Sequence, residues 1–406
     1  MWVVLGLQWG DEAKGKFVDY LAGGFDAVVR YQGGANAGHT VIYKGKKVPL
    51  HLIPSGIFHP GCTCVIGNGV VLDPEAFVKE IKMLEELGIE TKGRVWISDR
   101  AHLTLPYHKR KDEEREERRK RKIGTTRRGI GPTYMDKYGR TGIRAGDLFY
   151  PEFVKERLSF NVENPDEVFE FILSYRDFLL PYITDAVELL HRFLEEGKRI
   201  LFEGAQGTML DVDFGTYPFV TSSNPTAGGV CTGTGIPPTA IEKVIGVAKA
   251  YTTRIGEGPL PTEFPPEFEE RIREKGNEFG ATTGRPRRCG WFDAFQVRYA
   301  VKINGVREMV LTKLDVLDGI EIIKIATGYR LDGVELSSFP SSPGTLERVE
   351  VIYEEIPGWE GSVKGIKRYE DLPHGAKRYI KRIEELVGAR VKWISTGPER
   401  EEIIHV

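Results

Sequence analysis

The chain is poor in cysteine, with four in 406 residues, at positions 62, 64, 231 and 289. They are too few and too scattered for a disulfide framework. Cys62 and Cys64 stand two apart at the head of an apolar run. Zinc would need two more ligands at suitable spacing, and none follows. Reduced thiols, buried or at an edge, are therefore expected. Charge of one sign is lacking too: 57 Lys and Arg against 59 Asp and Glu leave a net charge of -2. There is no bulk attraction to nucleic acid or to an anionic membrane, so any anion site must be built locally. No run of about 18 apolar residues occurs, which excludes a spanning helix. The opening MWVVLGLQWGDEAKGK has no lysine-led apolar stretch with a small-residue cleavage site, so a cytoplasmic protein is expected. Repeats and low-complexity tracts are absent.

With 40% hydrophobic and 29% charged residues, the composition is globular and the length can bury a large core. Residues 1–406 are expected to form a single domain. Short apolar runs recur at 3–5, 27–30, 64–66, 200–202, 309–312 and 391–394, and each leads into a polar, mostly glycine-rich loop. Runs of this length suit strands buried on both faces of a mainly parallel sheet. Helical patterns lie between them. Asp73-Pro74 opens one, with Phe77, Ile81 and Leu84 on one face and Gly88 as its stop. Another carries Ile183, Val187, Leu190 and Leu194 and ends before Gly197. The alternation predicts an α/β fold: a large, mainly parallel central sheet flanked by helices, with long functional loops. Ligands in such sheets bind beyond the C-terminal ends of the strands, so the loops leaving those six strands point to one shared site. Residues 107–122 carry nine Lys/Arg and five Asp/Glu. Mixed signs without interleaved aromatics predict a solvated helix rather than a nucleic-acid surface.

Gly10-Asp11-Glu12-Ala13-Lys14-Gly15-Lys16-Phe17 follows the first run and matches G-x-x-x-x-G-K. Glycine lets backbone N–H groups converge on phosphate oxygens, and the following helix start favours negative charge. A standard phosphate loop has Ser or Thr, a Mg²⁺ ligand, where this chain has Phe17. Asp11, a hard oxygen ligand, is the candidate to replace it; a helix N-cap is the other reading of Asp11. Further on, Thr312-Lys313-Leu314-Asp315 ends a strand. A carboxylate there can accept from guanine N1–H and the 2-amino group, which adenine does not offer. The lysine stem can cover the base, and residues 395–398 can flank it. A surface Lys–Asp pair is the alternative. Together the two motifs favour GTP over ATP and give the expected α/β fold a P-loop-like GTP-binding architecture.

Along nearly its whole length the chain resembles the adenylosuccinate synthetase family. The matching blocks are Gln8-Trp9-Gly10-Asp11-Glu12 with Lys14-Gly15-Lys16; Val29-Arg30-Tyr31-Gln32-Gly33-Gly34 with Asn36-Ala37-Gly38-His39-Thr40; His51-Leu52-Ile53-Pro54-Ser55-Gly56; Ile123-Gly124-Thr125-Thr126; Phe202-Glu203-Gly204-Ala205-Gln206-Gly207-Thr208; Gly215-Thr216-Tyr217-Pro218 with Val220-Thr221-Ser222-Ser223-Asn224; Gly280-Ala281-Thr282-Thr283-Gly284-Arg285; and residues 311–319. Ala13, Arg127 and Pro286 depart from the family pattern, the first two standing where glycine is usual.

The resemblance implies GTP-dependent ligation of L-aspartate to inosine monophosphate (IMP) through a 6-phosphoryl intermediate. It makes Asp11 the general base and His39 the general acid, with Lys14 and Gln206 also catalytic. It assigns GTP to Gly10, Glu12, Ala13, Lys14, Gly15, Lys16, Gly38, His39, Thr40, Arg287, Lys313, Asp315, Ser395, Gly397 and Pro398. IMP falls to Asp11, Asn36, Thr125, Thr126, Arg140, Gln206 and Thr221, with Arg140 reaching the site of a neighbouring subunit in a homodimer. Aspartate falls to Thr282, Thr283 and Arg285, with Arg287 a second guanidinium suited to its carboxylates. One Mg²⁺ is implied, held by Asp11 and the Gly38 carbonyl. Without the resemblance, His39 reads as a structural histidine and residues 285–288 as a basic surface loop. A GTP-binding switch protein and another P-loop ligase are the alternative functions.

Overall fold

The computed structural model describes residues 1–280 and 284–406. Among them ten strands form the central sheet: β1 (Trp2–Gly6), β2 (Ala27–Arg30), β3 (Thr63–Ile66), β4 (Val95–Ser98), β5 (Ile183–Thr184), β6 (Ile200–Glu203), β7 (Lys243–Lys249), β8 (Glu308–Thr312), β9 (Arg390–Ser395) and β10 (Ile403–His405). Their spatial order is β5-β4-β3-β2-β6-β1-β7-β8-β9-β10. Every neighbouring pair is parallel except the edge pair β9–β10. All six strands expected from apolar runs are present. Alternate residues of β1 enter different cores: Val3 and Leu5 join one apolar cluster, Val4 another with Phe17 and Val18. Two-sided burial of this kind requires the unbroken apolar runs seen in the sequence.

Helix α1 (Lys14–Ala22) follows β1 directly. Phe17, at the position of the missing hydroxyl, is 1% exposed and meets Trp393 of β9 edge-on, with ring centroids 5.1 Å apart. The residue has been given to packing, where a buried Phe contributes about 1.5–3 kcal/mol. Helix α2 (Pro74–Glu86) starts as expected: the Asp73 carboxylate accepts from the N–H groups of Glu75 and Ala76, and Phe77, Ile81 and Leu84 are buried.

Two expectations are corrected. Helix α3 (Pro106–Arg118) is not simply solvated, because Asp112 and Glu116 are buried. Asp112 accepts from the N–H of Gly129, and Glu116 from those of Ile123 and Gly124. The acidic face of α3 thus holds the loop that leads to α4 (Ile130–Gly139). Further along, Ile183 lies in edge strand β5, and the helix α5 spans Ala186–Glu195 from an Asp185 cap. Its buried face is Ala186, Leu189, Leu190 and Phe193, while Leu194 is exposed. Strand β7 had no counterpart among the expected runs. The four cysteines are free thiols, three of them buried. No helix among the described residues is long and apolar enough to cross a membrane.

Candidate active site

Because β1, β2, β6, β7, β8 and β9 run parallel, the loops leaving their C-terminal ends meet over one edge of the sheet. They enclose a cleft of about 1000 Å³. The turn after β1 supplies its floor. Gly10, Asp11 and Ala13 have φ of 90°, 60° and 67°, so the backbone curls through left-handed conformations before α1 begins. The first-turn N–H groups of α1 have no intrahelical acceptor and face the cleft with the positive end of the helix dipole.

Glu12 holds this turn from inside. Its carboxylate is fully buried, accepts from the N–H groups of Gln8 and Gly10 at 3.1 and 2.9 Å, and pairs with Lys14 Nζ at 2.5 Å. Unlike the rest of residues 9–16, it does not line the cleft, so its side chain braces the loop from below. Lys16 donates to Ser395 Oγ and to the carbonyls of Gly397 and Glu402. It ties the phosphate loop to the loop after β9, and burial pushes its pKa down to about 8. The Thr312 hydroxyl donates to the Glu12 carbonyl, joining the T-K-x-D strand to the same loop.

Asp11 lines the cleft, and its Oδ2 accepts from Arg287 Nε at 2.9 Å. Arg287 also donates to the buried carboxylate of Glu278, as do Lys249, Lys313 and the Tyr251 hydroxyl. Burial alone would make Glu278 hard to ionise. Lys249, Lys313 and Arg287 outweigh it and hold the carboxyl well below the usual range. Glu278 thus connects Lys313, beside Asp315, to Arg287 and through it to Asp11. Burial raises the pKa of Asp315.

His39 opens a hairpin beside α1, and its Nδ1 is in close contact with the Glu203 carboxylate at the end of β6. Burial holds the imidazole below its ordinary pKa, against the pull of Glu203. Opposite, Gln206 adopts φ 54° in the turn after β6. Gln32 fixes that turn, donating to Gln206 Oε1 and the Ala205 carbonyl and accepting from the Ala205 N–H. The Thr221 hydroxyl is buried without a partner in the cleft wall. Arg285 donates to the Gly124 carbonyl beside Thr125 and Thr126.

The cleft gathers Gly10, Asp11, Ala13, Lys14, Gly15, Lys16, Asn36, Gly38, His39, Thr40, Thr125, Thr126, Gln206, Thr221, Arg285, Arg287, Lys313, Asp315, Ser395, Gly397 and Pro398. Arg140 does not line it; the residue is exposed at the C-terminal end of α4, with φ 65°. Thr282 and Thr283 lie outside the described residues. Sequence reasoning gave no role to Glu203, Glu278 or Gln32. Each acts through partners distant in the chain, so no local spacing marks it. Among the described residues no three His, Cys, Asp or Glu side chains gather as a metal cage.

A phosphate-loop turn and the carboxylate of the T-K-x-D strand end line one cleft, the arrangement of a nucleotide-binding enzyme. Comparison with known proteins narrows the class. The family model described as adenylosuccinate synthetase matches residues 3–404. The adenylosuccinate synthetase of Caldanaerobacter subterraneus subsp. tengcongensis is 52% identical, with 99% of this chain and 98% of the relative covered. That of Heliobacterium modesticaldum is 53% identical over 100% and 98%. The solved structure of the fully ligated Plasmodium falciparum adenylosuccinate synthetase superposes with a TM-score of 0.95 at 38% identity, covering 100% of this chain and 99% of that one. The chain belongs to the adenylosuccinate synthetase family. It is a ligase that forms a C–N bond, joining IMP and aspartate at the expense of GTP in AMP synthesis.

Proposed function

We propose that the ligation runs in two steps in this cleft, with Asp11 and His39 as its acid–base pair. IMP lies along Asn36, Thr125, Thr126, Gln206 and Thr221. GTP lies along the turn after β1, with its base at Lys313 and Asp315 and between residues 395 and 398. Asp11 removes the N1 proton of IMP, which places negative charge on the 6-oxygen. That oxygen attacks the γ-phosphorus, and GDP leaves. His39 faces the phosphates and donates to the leaving oxygen, while Lys14 offsets charge on the transferring group. Aspartate is held through Arg285, with Thr282 and Thr283. Its amine attacks carbon 6, and phosphate departs with the former 6-oxygen. Arg287, which donates to Asp11, offers its remaining N–H groups to anionic ligand oxygens.

The observation that supports this most is that Asp11 lines the same cleft as the phosphate loop and Gln206, directly after Gly10, which packs against the Gln206 backbone. A divalent cation fits the donor set. Asp11 offers a hard oxygen and Gly38, which lines the same cleft, a backbone carbonyl. Held by these two in place of the hydroxyl of a standard P-loop, Mg²⁺ would neutralise phosphate charge. Arg140 points to a homodimer. It is exposed at the end of α4 and does not line its own cleft, and so can serve a second copy. Free thiols throughout suit a cytoplasmic setting.

The test is adenylosuccinate absorbance with purified protein, supplying GTP, Mg²⁺, IMP and aspartate and omitting each in turn. Product should require all four. Asp11→Asn and His39→Asn should each abolish turnover in a folded chain. Near-normal turnover in either removes that residue's role.

A further inference from the structure

Glu203 is the last residue of β6 and is completely buried. Its Oε1 meets His39 Nδ1 and accepts from Ser55 Oγ at 2.6 Å, while Oε2 accepts from the Ser55 N–H at 2.7 Å. Arg30 lies beside it in the parallel register of β2 and β6, also fully buried. The Arg30 guanidinium donates its hydrogen bonds elsewhere, to the carbonyls of His51 and Gln32, and so acts on Glu203 by charge. Burial opposes ionisation of Glu203, but His39, Arg30 and Ser55 outweigh it and lower its pKa. An ionised carboxylate only accepts hydrogen bonds. Whatever meets it must donate, and the ring nitrogen that meets it is Nδ1.

We propose that Glu203 is the positioning residue for His39: it takes the Nδ1–H and so turns Nε2, the other ring nitrogen, toward the transferring phosphoryl group, where Nε2 takes a second proton from solvent and, as an imidazolium balanced by the Glu203 carboxylate, gives it to the leaving oxygen. The proposal deepens the reading of His39 as the general acid and rests on it. A histidine has two neutral tautomers, and the partner of one nitrogen decides what the other can do. Only a fixed ring can hold Nε2 against the bridging oxygen, and the carboxylate supplies that fixity from beneath. The rest of the surroundings agree. Gly15 of α1 brings backbone close over the imidazole, where a Cβ would lie 2.7 Å from His39 Cβ, so the ring has little other room. Lys14 and Arg30 are the cations that act on it, and neither can accept its proton.

The test begins with the unaltered protein. Nitrogen-15 NMR of histidine-labelled protein at neutral pH, with the His39 signals assigned by their loss in His39→Asn, should show a protonated Nδ1. A bare Nδ1 with the proton on Nε2 overturns the proposal. Kinetics follow with Glu203→Gln and Ser55→Ala. In Glu203→Gln, kcat should fall about 10- to 100-fold with KM for GTP and IMP within about threefold, and His39 should show a mixture of tautomers. Ser55→Ala, which keeps the carboxylate, should hold kcat within about threefold. A folded Glu203→Gln with normal kcat, or equal losses in both variants, overturns the proposal. Should His39→Asn keep full turnover, the acid role falls, while the NMR result still decides what Glu203 does to the ring.

Discussion

Gly15 sits in the first turn of α1, and a methyl group added there would lie 2.7 Å from His39 Cβ and 3.2 Å from its Cα. Carbon atoms rest about 3.5–4.0 Å apart. Gly15→Ala therefore requires His39 or the start of α1 to give way by about 0.8 Å. Overpacking costs about 1–3 kcal/mol, and alanine in a helix returns about 0.5–1 kcal/mol relative to glycine. The net loss of stability should be about 0–2.5 kcal/mol, which leaves the chain folded. Activity should suffer more. A shift of about 1 Å at a reacting group costs on the order of 100-fold, and the shifted group here is the imidazole braced on Glu203. The assay is initial-rate adenylosuccinate formation at saturating GTP, IMP and aspartate, alongside thermal unfolding. The reasoning fails if the variant turns over within twofold of the parent, or if it loses activity only because it unfolds.

Three further perturbations address other parts of the site. Ala13 adopts φ 67°, a conformation that costs a non-glycine residue about 1–2 kcal/mol; Ala13→Gly should be neutral to about 1 kcal/mol stabilising in denaturant unfolding and should leave KM for GTP equal or lower, whereas clear destabilisation contradicts the strain. Glu278 has its pKa depressed in the folded chain, so its stabilising contribution is complete above the ordinary glutamate value of about 4.3 and is lost as pH falls below it; the melting temperature should drop steeply with acid below that point, less so in Glu278→Gln, and identical slopes would refute the role of the cluster. In Asp315→Asn, an N–H₂ group faces the guanine donors and one acceptor is lost, at about 1.5–3 kcal/mol; kcat/KM for GTP should fall about 10- to 100-fold, and unchanged GTP kinetics would mean the carboxylate does not read the base.

Much of this arrangement is legible in the sequence, because local physics controls it. Strands buried on both faces must be apolar throughout, so six of them show as runs, and Asp73-Pro74 marks a helix start through a cap that needs only its own neighbours. What escapes depends on distant partners. Gly246 interrupts the apolar run of β7 because a side chain there would collide with Leu7, 2.5 Å away, and only the folded sheet reveals that contact. The acidic face of α3 looks solvated until the loop that Asp112 and Glu116 hold is in place. Ile183 shares a helical spacing with the residues after it, yet an Asp185 cap two residues later starts the helix and leaves Ile183 to the sheet edge. The site divides the same way. Motif residues announce Asp11, His39 and Asp315, whereas Glu203 stands in a block that carries no sign of its partner His39, 164 residues away in the chain, and Glu278 stands in none.

The central claim is that a purine oxygen, activated through Asp11, captures the γ-phosphoryl group. Isotope tracing reads this directly. IMP carrying oxygen-18 at the 6-position should transfer that label to inorganic phosphate, one labelled oxygen per adenylosuccinate formed, as measured by mass spectrometry of the phosphate. Unlabelled phosphate alongside normal product would mean that the 6-oxygen leaves by another route, and the two-step scheme would be wrong.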